Sequence, residues 1–222
     1  GLSVAFRGAR SGVQALDDVS FTVAAGETVA LVGESGSGKT VAALSIMRLL
    51  PAHAATIHAG SIRFAGDEVL EMEEARLRAF RGARTAMIFQ EPMTSLNPVL
   101  TIGDQVAEPL LLHRGLTRRA ALAEARELLR RVRLPDPDAL LRAYPHQLSG
   151  GMRQRAMIAQ AIACRPALLI ADEPTTALDV TVQAQVLALL ADLQRELGMA
   201  LLLITHDLAV VAQVAARTVV LY

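Results

Sequence analysis

Hydrophobic residues follow two different spacings along the chain. Runs in which apolar residues alternate with polar ones, or follow one another directly, predict β-strands over 2–6, 18–23, 28–32, 61–64, 86–89, 167–171, 199–204 and 218–222. An apolar face at helical spacing predicts helices over 41–50, from 117 to a stop at Pro135, from 149 onward and over 180–197. Because strands and helices alternate, the pattern predicts an α/β fold on a parallel sheet, with a helical insert at about 94–164.

Composition narrows the classes of protein. The 222 residues suit one domain with a sizeable core, and 22 acidic residues balance 22 basic ones, so nothing favours a nucleic-acid partner. No apolar run reaches the roughly 18 residues needed to cross a bilayer, and Gly1 does not begin a signal peptide, so we expect a chain that does not span a membrane. The single cysteine, Cys164, excludes an internal disulfide, which fits a reducing cytosol, and is expected to be an inert buried thiol.

A glycine-rich loop follows the strand predicted over 28–32. Residues 33–40 read G-E-S-G-S-G-K-T, which matches the G-x-x-x-x-G-K-[ST] pattern between a predicted strand and a predicted helix. Glycines allow successive backbone N–H groups to curl around phosphate oxygens, and the helix N-terminus favours negative charge. Lys39, the only lysine among the 22 basic residues, would contact the β- and γ-phosphates, and the Thr40 hydroxyl would hold Mg²⁺.

Two adjacent carboxylates follow the strand predicted over 167–171. Open α/β sheets bind ligands at the carboxyl ends of their strands, so Asp172 could hold Mg²⁺ through water and Glu173 could act as general base toward the attacking water. Taken alone, two adjacent carboxylates after an apolar run more often mark a strand that ends in solvent. Because the chain also contains the phosphate loop, the functional interpretation is favoured instead. The same parts suit a GTPase, a kinase or a helicase, but the guanine clamp Asn-Lys-x-Asp is absent because Lys39 is the only lysine.

A second phosphate-binding surface is predicted at residues 148–155, which read L-S-G-G-M-R-Q-R. Ser149 would cap a helix, and Gly150 and Gly151 would leave free N–H groups at its positive end. This surface has no lysine and cannot share the phosphates of the first loop within one chain, so it is expected to serve the nucleotide of another copy. An ordinary capped helix is the alternative.

Here the chain resembles the ATPases of ABC transporters, whose signature is Leu-Ser-Gly-Gly-Gln, and the motifs occur in family order from Phe6 to Tyr222. The resemblance implies that Gln90 touches Mg²⁺ and senses the membrane subunit, that Asp179 lies across a dimer interface, and that His206 holds the γ-phosphate and the attacking water. Phe6 would stack on adenine, although a phenylalanine in a strand is usually core.

The fifth signature position departs from the family pattern: it is Met152, and the glutamine follows at Gln154. Residues 89–98, 149–155 and 172–185 together resemble the importer branch for oligopeptides, dipeptides, glutathione and nickel, and residues 90–99 favour the glutathione and dipeptide types. Relatives in this branch continue past the position of Tyr222, some as tandem fusions of two cassettes. We therefore expect these 222 residues to be excised from a longer chain.

The resemblance also implies an architecture and a set of partners. A P-loop NTPase (RecA-like) core over about 1–93 and 165–222 should carry an antiparallel β subdomain and an inserted α-helical signature subdomain over about 94–164. Two cassettes would close head-to-tail on two ATP molecules at the cytoplasmic face of the bacterial inner membrane. Two membrane permease subunits would be direct partners, with a permease helix in a groove near 90–98, and an extracytoplasmic substrate-binding protein would be an indirect one.

Site roles follow from the same resemblance. Catalysis is assigned to Lys39, Glu173 and His206, and Mg²⁺ binding to Thr40, Gln90 and Asp172. The nucleotide would contact Phe6, Gly33, Glu34, Ser35, Gly36, Ser37, Gly38, Lys39, Thr40, Val41, Gln90, Asp172, Glu173 and His206 of one copy, with Ser149, Gly150, Gly151 and Asp179 of the other.

Three alternatives stay open. The importer could carry nickel or another small solute. A soluble ABC ATPase of DNA repair or translation would be expected to contain a long coiled-coil insertion or a second cassette with basic faces, and neither occurs in the sequence. A regulatory scaffold that has lost hydrolysis is disfavoured by the intact set Lys39, Asp172, Glu173 and His206.

Overall fold

The computed structural model describes residues 1–7, 12–90, 95–176 and 178–222. The strands are β1 (Leu2–Phe6), β2 (Val13–Val19), β3 (Thr28–Gly33), β4 (Ala55–Ala59), β5 (Arg63–Phe64), β6 (Asp67–Glu68), β7 (Thr85–Ile88), β8 (Leu168–Asp172), β9 (Ala200–Ile204) and β10 (Arg217–Leu221). The α-helices are α1 (Lys39–Ile46), α2 (Glu74–Ala79), α3 (Ile102–Arg114), α4 (Arg118–Arg131), α5 (Pro137–Leu140), α6 (Gly150–Ile162), α7 (Val180–Leu197) and α8 (Leu208–Val214).

The centre of the fold is a parallel sheet in the order β10–β3–β9–β8–β7. Every residue of β8 and β9 is buried, and successive side chains alternate between two hydrophobic clusters: Leu169 and Leu203 belong to one, Ile170 and Leu202 to the other. Strands covered on both faces are continuous apolar runs, which explains the sequence pattern over 167–171 and 199–204. Because the strands are parallel, their carboxyl ends all lie at one edge of the sheet.

The N-terminal strands form an antiparallel sheet in the order β2–β1–β4. Its buried residues Leu2, Val4 and Leu16 join the cluster that covers one face of the parallel sheet, to which α1 also contributes. The predicted α/β class and the antiparallel N-terminal sheet are therefore confirmed.

Two strand predictions need correction. β2 spans Val13–Val19 rather than 18–23. Phe21 and Val23 pack against the hydrophobic cluster without pairing to a strand. The alternating apolar residues of this segment therefore reflect burial and not a β-strand. The strand predicted over 61–64 shortens to β5, which pairs only with β6. The pattern does not predict β4, which is mostly exposed, or α2, which has six residues.

Helix bounds follow the capping residues. α7 spans the predicted residues because Asp179 caps its start and Gly198, at φ 63°, ends it. α4 begins after its cap Thr117, as predicted. α1 ends at Ile46 rather than at residue 50, because Arg48 adopts a left-handed φ of 49° and donates a 2.6 Å hydrogen bond to the carbonyl oxygen of Met72.

Helices α3 to α6 follow β7 and precede β8, where the sequence predicts a helical insert. Their buried residues share one hydrophobic cluster with β7, β8, β9 and α7. The division of the chain into a core and a helical subdomain at about 94 and 164 stays a prediction. Within the described ranges, none of the helices has both the length and the hydropathy to cross a bilayer. Cys164 is half-buried against the carbonyl oxygen of Pro109, and burial raises the pKa of its thiol.

Gln194 joins three parts of this framework. It is 9% exposed on α7, and its amide nitrogen donates to the carbonyl oxygens of Gly26 (2.6 Å) and Met199 (3.1 Å). We predict that Gln194→Met lowers the free energy of unfolding by about 1–3 kcal/mol, because both acceptors are left without their donor. Urea denaturation measures this loss. Gln213→Ala, an exposed change on α8, is the control and should stay within about 0.5 kcal/mol of the parent; equal losses in both variants would contradict the assignment.

Candidate nucleotide-binding site

The glycine-rich loop connects β3 to α1 at the carboxyl edge of the parallel sheet. Gly38 has a φ of 91°, and a Cβ there would lie 2.5 Å from the carbonyl oxygen of Ala15 in β2. A Cβ at Gly33 would lie 2.3 Å from the carbonyl oxygen of Leu221 in β10. Gly36, at φ 87°, faces open space. Close approach of another backbone segment therefore requires glycine at positions 33 and 38, and a left-handed conformation favours glycine at positions 36 and 38.

Lys39 begins α1 and is 7% exposed. Its ammonium donates to the carbonyl oxygens of Gly33 (2.8 Å) and Glu34 (2.7 Å), so the loop folds around its own lysine. The Ser37 hydroxyl is buried without a hydrogen-bond partner in the described structure. Thr40 and Val41 lie in the first turn of α1, where backbone N–H groups have no intrahelical acceptor. This geometry leaves donors available to the oxygens of an anion.

Asp172 is the last residue of β8 and is 3% exposed. Burial raises the pKa of its carboxyl; a hydrogen bond from Thr40 and the charge of Lys39 lower it, and the neighbouring Glu173 raises it further. One carboxylate oxygen, Oδ1, is buried with no partner in the described structure. A buried carboxylate oxygen of this kind is suited to a cation or an ordered water.

Glu173 is the point at which the predicted catalytic residues meet. Its Oε2 accepts from Gln90 (3.1 Å), which follows β7, and from the Thr176 hydroxyl (2.7 Å). Its Oε1 lies 3.0 Å from Nδ1 of His206, which follows β9. The backbone of Glu173 adopts a φ of 45°, and its N–H donates to the carbonyl oxygen of Ile204 at 2.9 Å. A non-glycine residue held in this region is characteristic of functional sites.

The surroundings of Glu173 also set its charge. Burial raises the pKa of this carboxyl, but the hydrogen bonds from Thr176 and His206, with the charges of His206 and Lys39, lower it to a net value below the ordinary one. The side chain is therefore an ionised acceptor at neutral pH. Thr176 is a site residue that the sequence reasoning missed; its position three residues after Glu173 was the available indication.

The second predicted phosphate surface is built as a helix start. Ser149 caps α6 by accepting from the N–H of Met152 at 3.3 Å. A Cβ on Gly151 would lie 2.7 Å from Cγ1 of Val182, so the glycine allows α6 to approach α7 closely. Asp179 caps α7, its Oδ1 accepting from the N–H of Val182 at 3.0 Å. The starts of α6 and α7 therefore lie together, whereas Ala177 of the same motif lies outside the described residues.

The remaining predicted contacts are distributed as follows. Glu34 and Ser35 are exposed on the loop. Phe6 ends β1, half-buried and paired with Val13 and Ala55. Its stacking on adenine stays a prediction, as do the nucleotide roles of the other site residues.

The glycine-rich phosphate loop, the buried Asp172 and the hydrogen-bonded Glu173 all lie at one edge of a parallel sheet. This arrangement is that of a P-loop nucleotide-binding cassette. The ABC transporter family model matches residues 16–176, and the chain belongs to that family. The fold agrees: the ATP-binding cassette MJ0796, solved as a dimer bound to ADP and Pi, superposes with a TM-score of 0.87 at 29% identity over 99% of this chain and 91% of that one.

Several curated relatives are named as ATP-binding proteins of transporters. The glutathione import ATP-binding protein GsiA of Salmonella typhimurium is 54% identical over 227 residues, which cover 100% of this chain and 36% of that protein. A putative peptide import ATP-binding protein of Brucella melitensis is 56% identical, with 67% of its length covered. A probable peptide ABC transporter ATP-binding protein of Sinorhizobium fredii is 54% identical, with 66% covered. The chain thus spans about a third of the glutathione relative and two thirds of the peptide relatives.

The raised pKa of Asp172 predicts a gain in stability when the charge is removed. The ionised form is disfavoured in the folded state, so its cost is absent at low pH and grows as pH rises through the unfolded and then the folded pKa. Asp172→Asn should therefore raise Tm at pH 7, and the gain should vanish in acid. Each 1 kcal/mol would appear as roughly 2–4 °C in a chain of this length. Differential scanning fluorimetry between pH 3 and 8 measures it, and an equal or lower Tm for the variant at pH 7 would contradict the prediction.

Proposed function

We propose that the chain binds ATP with Mg²⁺ and hydrolyses the terminal phosphate as the ATP-binding subunit of an importer. The observation that carries the proposal is the convergence of Gln90, Thr176 and His206 on the Glu173 carboxylate, beside the buried Asp172. Residues from the ends of three neighbouring strands meet there, and an ordinary strand terminus would not require that arrangement.

The side chains fit a Mg²⁺ ion. Asp172 offers a buried, unpartnered carboxylate oxygen, and the nearby Thr40 hydroxyl lowers the pKa of the same carboxyl. Mg²⁺ is usually bound by one or two carboxylates, waters and substrate phosphates; consistently, the described residues contain no group of three or more His, Cys, Asp or Glu side chains that could hold a metal. When bound by Asp172, Thr40 and Gln90, the ion would neutralise charge on the β- and γ-phosphates.

The protein's own groups supply the proton acceptor and the orientation. Glu173, a carboxylate held by Gln90 and Thr176 on one oxygen, would accept a proton from the attacking water. Gln90 and Thr176 donate to one oxygen of the Glu173 carboxylate, and His206 faces the other oxygen. These contacts fix the orientation of the carboxylate. Lys39 would exchange its bonds to loop carbonyls for the phosphate oxygens.

A second cassette would complete each site. Ser149 caps a helix that begins at Gly150 and Gly151, and the free N–H groups and positive dipole of its first turn suit a phosphate. ATP bound between two copies would favour the closed pair because only that state makes both sets of contacts. The dimeric cassette structure with ADP and Pi supports this arrangement.

Transport of peptides or glutathione is proposed from the names of the relatives, with nickel or another small solute as the alternative. Two permease subunits and an extracytoplasmic binding protein would be the partners, at the cytoplasmic face of the inner membrane. A groove of about 310 Å³ between β7, α3 and α6 supports a permease docking site. It is lined by apolar residues that include Phe89 and Leu49, which are 41% and 38% exposed.

Glu173→Gln tests the role of the base. We predict that this variant still binds ATP but hydrolyses it at least about 100-fold more slowly, because the proton acceptor is lost while the shape is retained. ATP should then accumulate a dimer, measured by size-exclusion chromatography with light scattering alongside phosphate release. Glu196→Gln, an exposed glutamate paired with Arg131, is the matched control and should turn over normally. Rapid turnover by Glu173→Gln would refute the assignment.

Phe89→Asp tests the docking groove. A charge in the groove should weaken association with permease-containing membranes by about tenfold or more, because an aromatic contact is lost and the new carboxylate must be desolvated on docking, while ATP binding is unchanged. Val220→Asp is the control: Val220 is 61% exposed on β10, at the opposite edge of the sheet from β7. Sedimentation with native membranes measures both variants, and equal binding would contradict the proposed surface.

Mass spectrometry of proteins that co-purify with Glu173→Gln in ATP separates the transporter from a soluble ABC ATPase. Two polytopic membrane proteins with a binding protein support the importer, and that binding protein can be screened with peptides, glutathione and nickel. Recovery of only soluble or nucleic-acid-bound proteins would leave the ATPase chemistry in place and refute the importer.

A further inference from the structure

Gln183 connects two motifs that are separate in the sequence. It lies in the first turn of α7, where its backbone N–H donates to the carbonyl oxygen of Asp179 at 2.8 Å. Its half-buried side chain reaches across to α8, and Nε2 donates to Oδ2 of Asp207 at 3.2 Å. One residue therefore contacts both the segment predicted to lie at the dimer interface and the residue next to His206.

Asp207 holds the short loop that carries His206. Its Oδ1 accepts from the N–H groups of Ala209 (2.8 Å) and Val210 (3.4 Å), which caps α8, and its own N–H donates to the Thr205 hydroxyl at 3.0 Å. Capping α8 uses only Oδ1. The second oxygen is free for Gln183, so the bond to α7 adds a constraint that the helix cap does not need.

His206 depends on such constraints because its side chain is 63% exposed. Packing cannot fix an exposed imidazole, and its position is set by the backbone on either side and by Glu173 at 3.0 Å. A shift of Asp207 relative to α7 would therefore move the histidine relative to the base.

We propose that Gln183 is a positioning residue for His206 and couples displacement of the Asp179 segment to the geometry of the His206–Glu173 pair. The acceptor of this bond is a carboxylate and the bond is partly buried, so water screens it less than a surface contact. Contact of Asp179 with a second copy would thereby tighten or release the switch histidine of its own chain. This inference rests on the proposed ATPase function.

The first test compares ATP hydrolysis by the full-length protein and its Gln183→Met variant, which keeps the side-chain length but not the donor. We expect kcat to fall about tenfold, equivalent to about 1.4 kcal/mol, with KM for ATP changed less than about twofold. Gln185→Ala is the control on the same helix; its side chain accepts from Arg155 instead and should leave kcat within about twofold of the parent.

Gln183→Glu supplies a readout that a general loss of stability would not give. Its carboxylate faces that of Asp207, so the bond forms only when the two share a proton. The activity of this variant relative to the parent should rise as pH falls, whereas the ratio for Gln183→Met should stay flat. In a double-mutant cycle, the effects of Gln183→Met and Asp179→Asn on kcat should also be non-additive, because both changes act on the same proposed connection between Asp179 and His206.

The outcomes separate the two levels of inference. Absence of ATP hydrolysis by the parent chain would refute the proposed function. Hydrolysis by the parent, with Gln183→Met at the parental kcat or with a flat pH ratio for Gln183→Glu, would refute the positioning role alone.

Discussion

Burial of the central strands of the parallel sheet on both faces is the constraint on which the rest of the structure depends. Side chains of β8 and β9 have no solvent-facing side, so polar groups of this layer can occur only where a strand ends. Parallel register then brings those ends to one edge. The phosphate loop after β3, the carboxylates at the end of β8, and Gln90 and His206 after β7 and β9 are neighbours for this reason.

Adjacent carboxylates in that edge have opposite electrostatic environments. Asp172 is buried with an oxygen unpartnered in the described structure, and its pKa is raised; Glu173 receives three hydrogen bonds, and its pKa is lowered. For Asp172 the effect of burial exceeds that of Thr40 and Lys39, whereas for the adjacent Glu173 the hydrogen bonds and nearby charges exceed the effect of burial. The difference is consistent with the separate tasks proposed for them, a cation ligand for Asp172 and a proton acceptor for Glu173.

Sequence reasoning predicted most of the strands of the parallel sheet, because buried strands are continuous apolar runs, and placed α7 correctly because its caps are explicit. It failed at β2 and α1. Phe21 and Val23 alternate through packing alone, and Arg48 ends α1 through a contact with Met72, more than twenty residues away. At the site, the motif residues Gln90, Glu173 and His206 do meet. Thr176 and Gln183 were missed because their contacts are single side-chain hydrogen bonds, one to Glu173 three residues away and the other to Asp207 in a different part of the chain.

The position of Lys39 has a consequence for the timing of entropy loss. An ammonium has three donors, and two of them are already committed to the carbonyl oxygens of Gly33 and Glu34. The Lys39 side chain therefore loses its rotamer freedom when the chain folds, before any nucleotide binds. In the proposed ATP complex, phosphate oxygens would take the place of these carbonyl oxygens, so binding would not have to immobilise a mobile cation. The entropy cost of ordering this side chain would then fall on folding and not on the binding of the ligand.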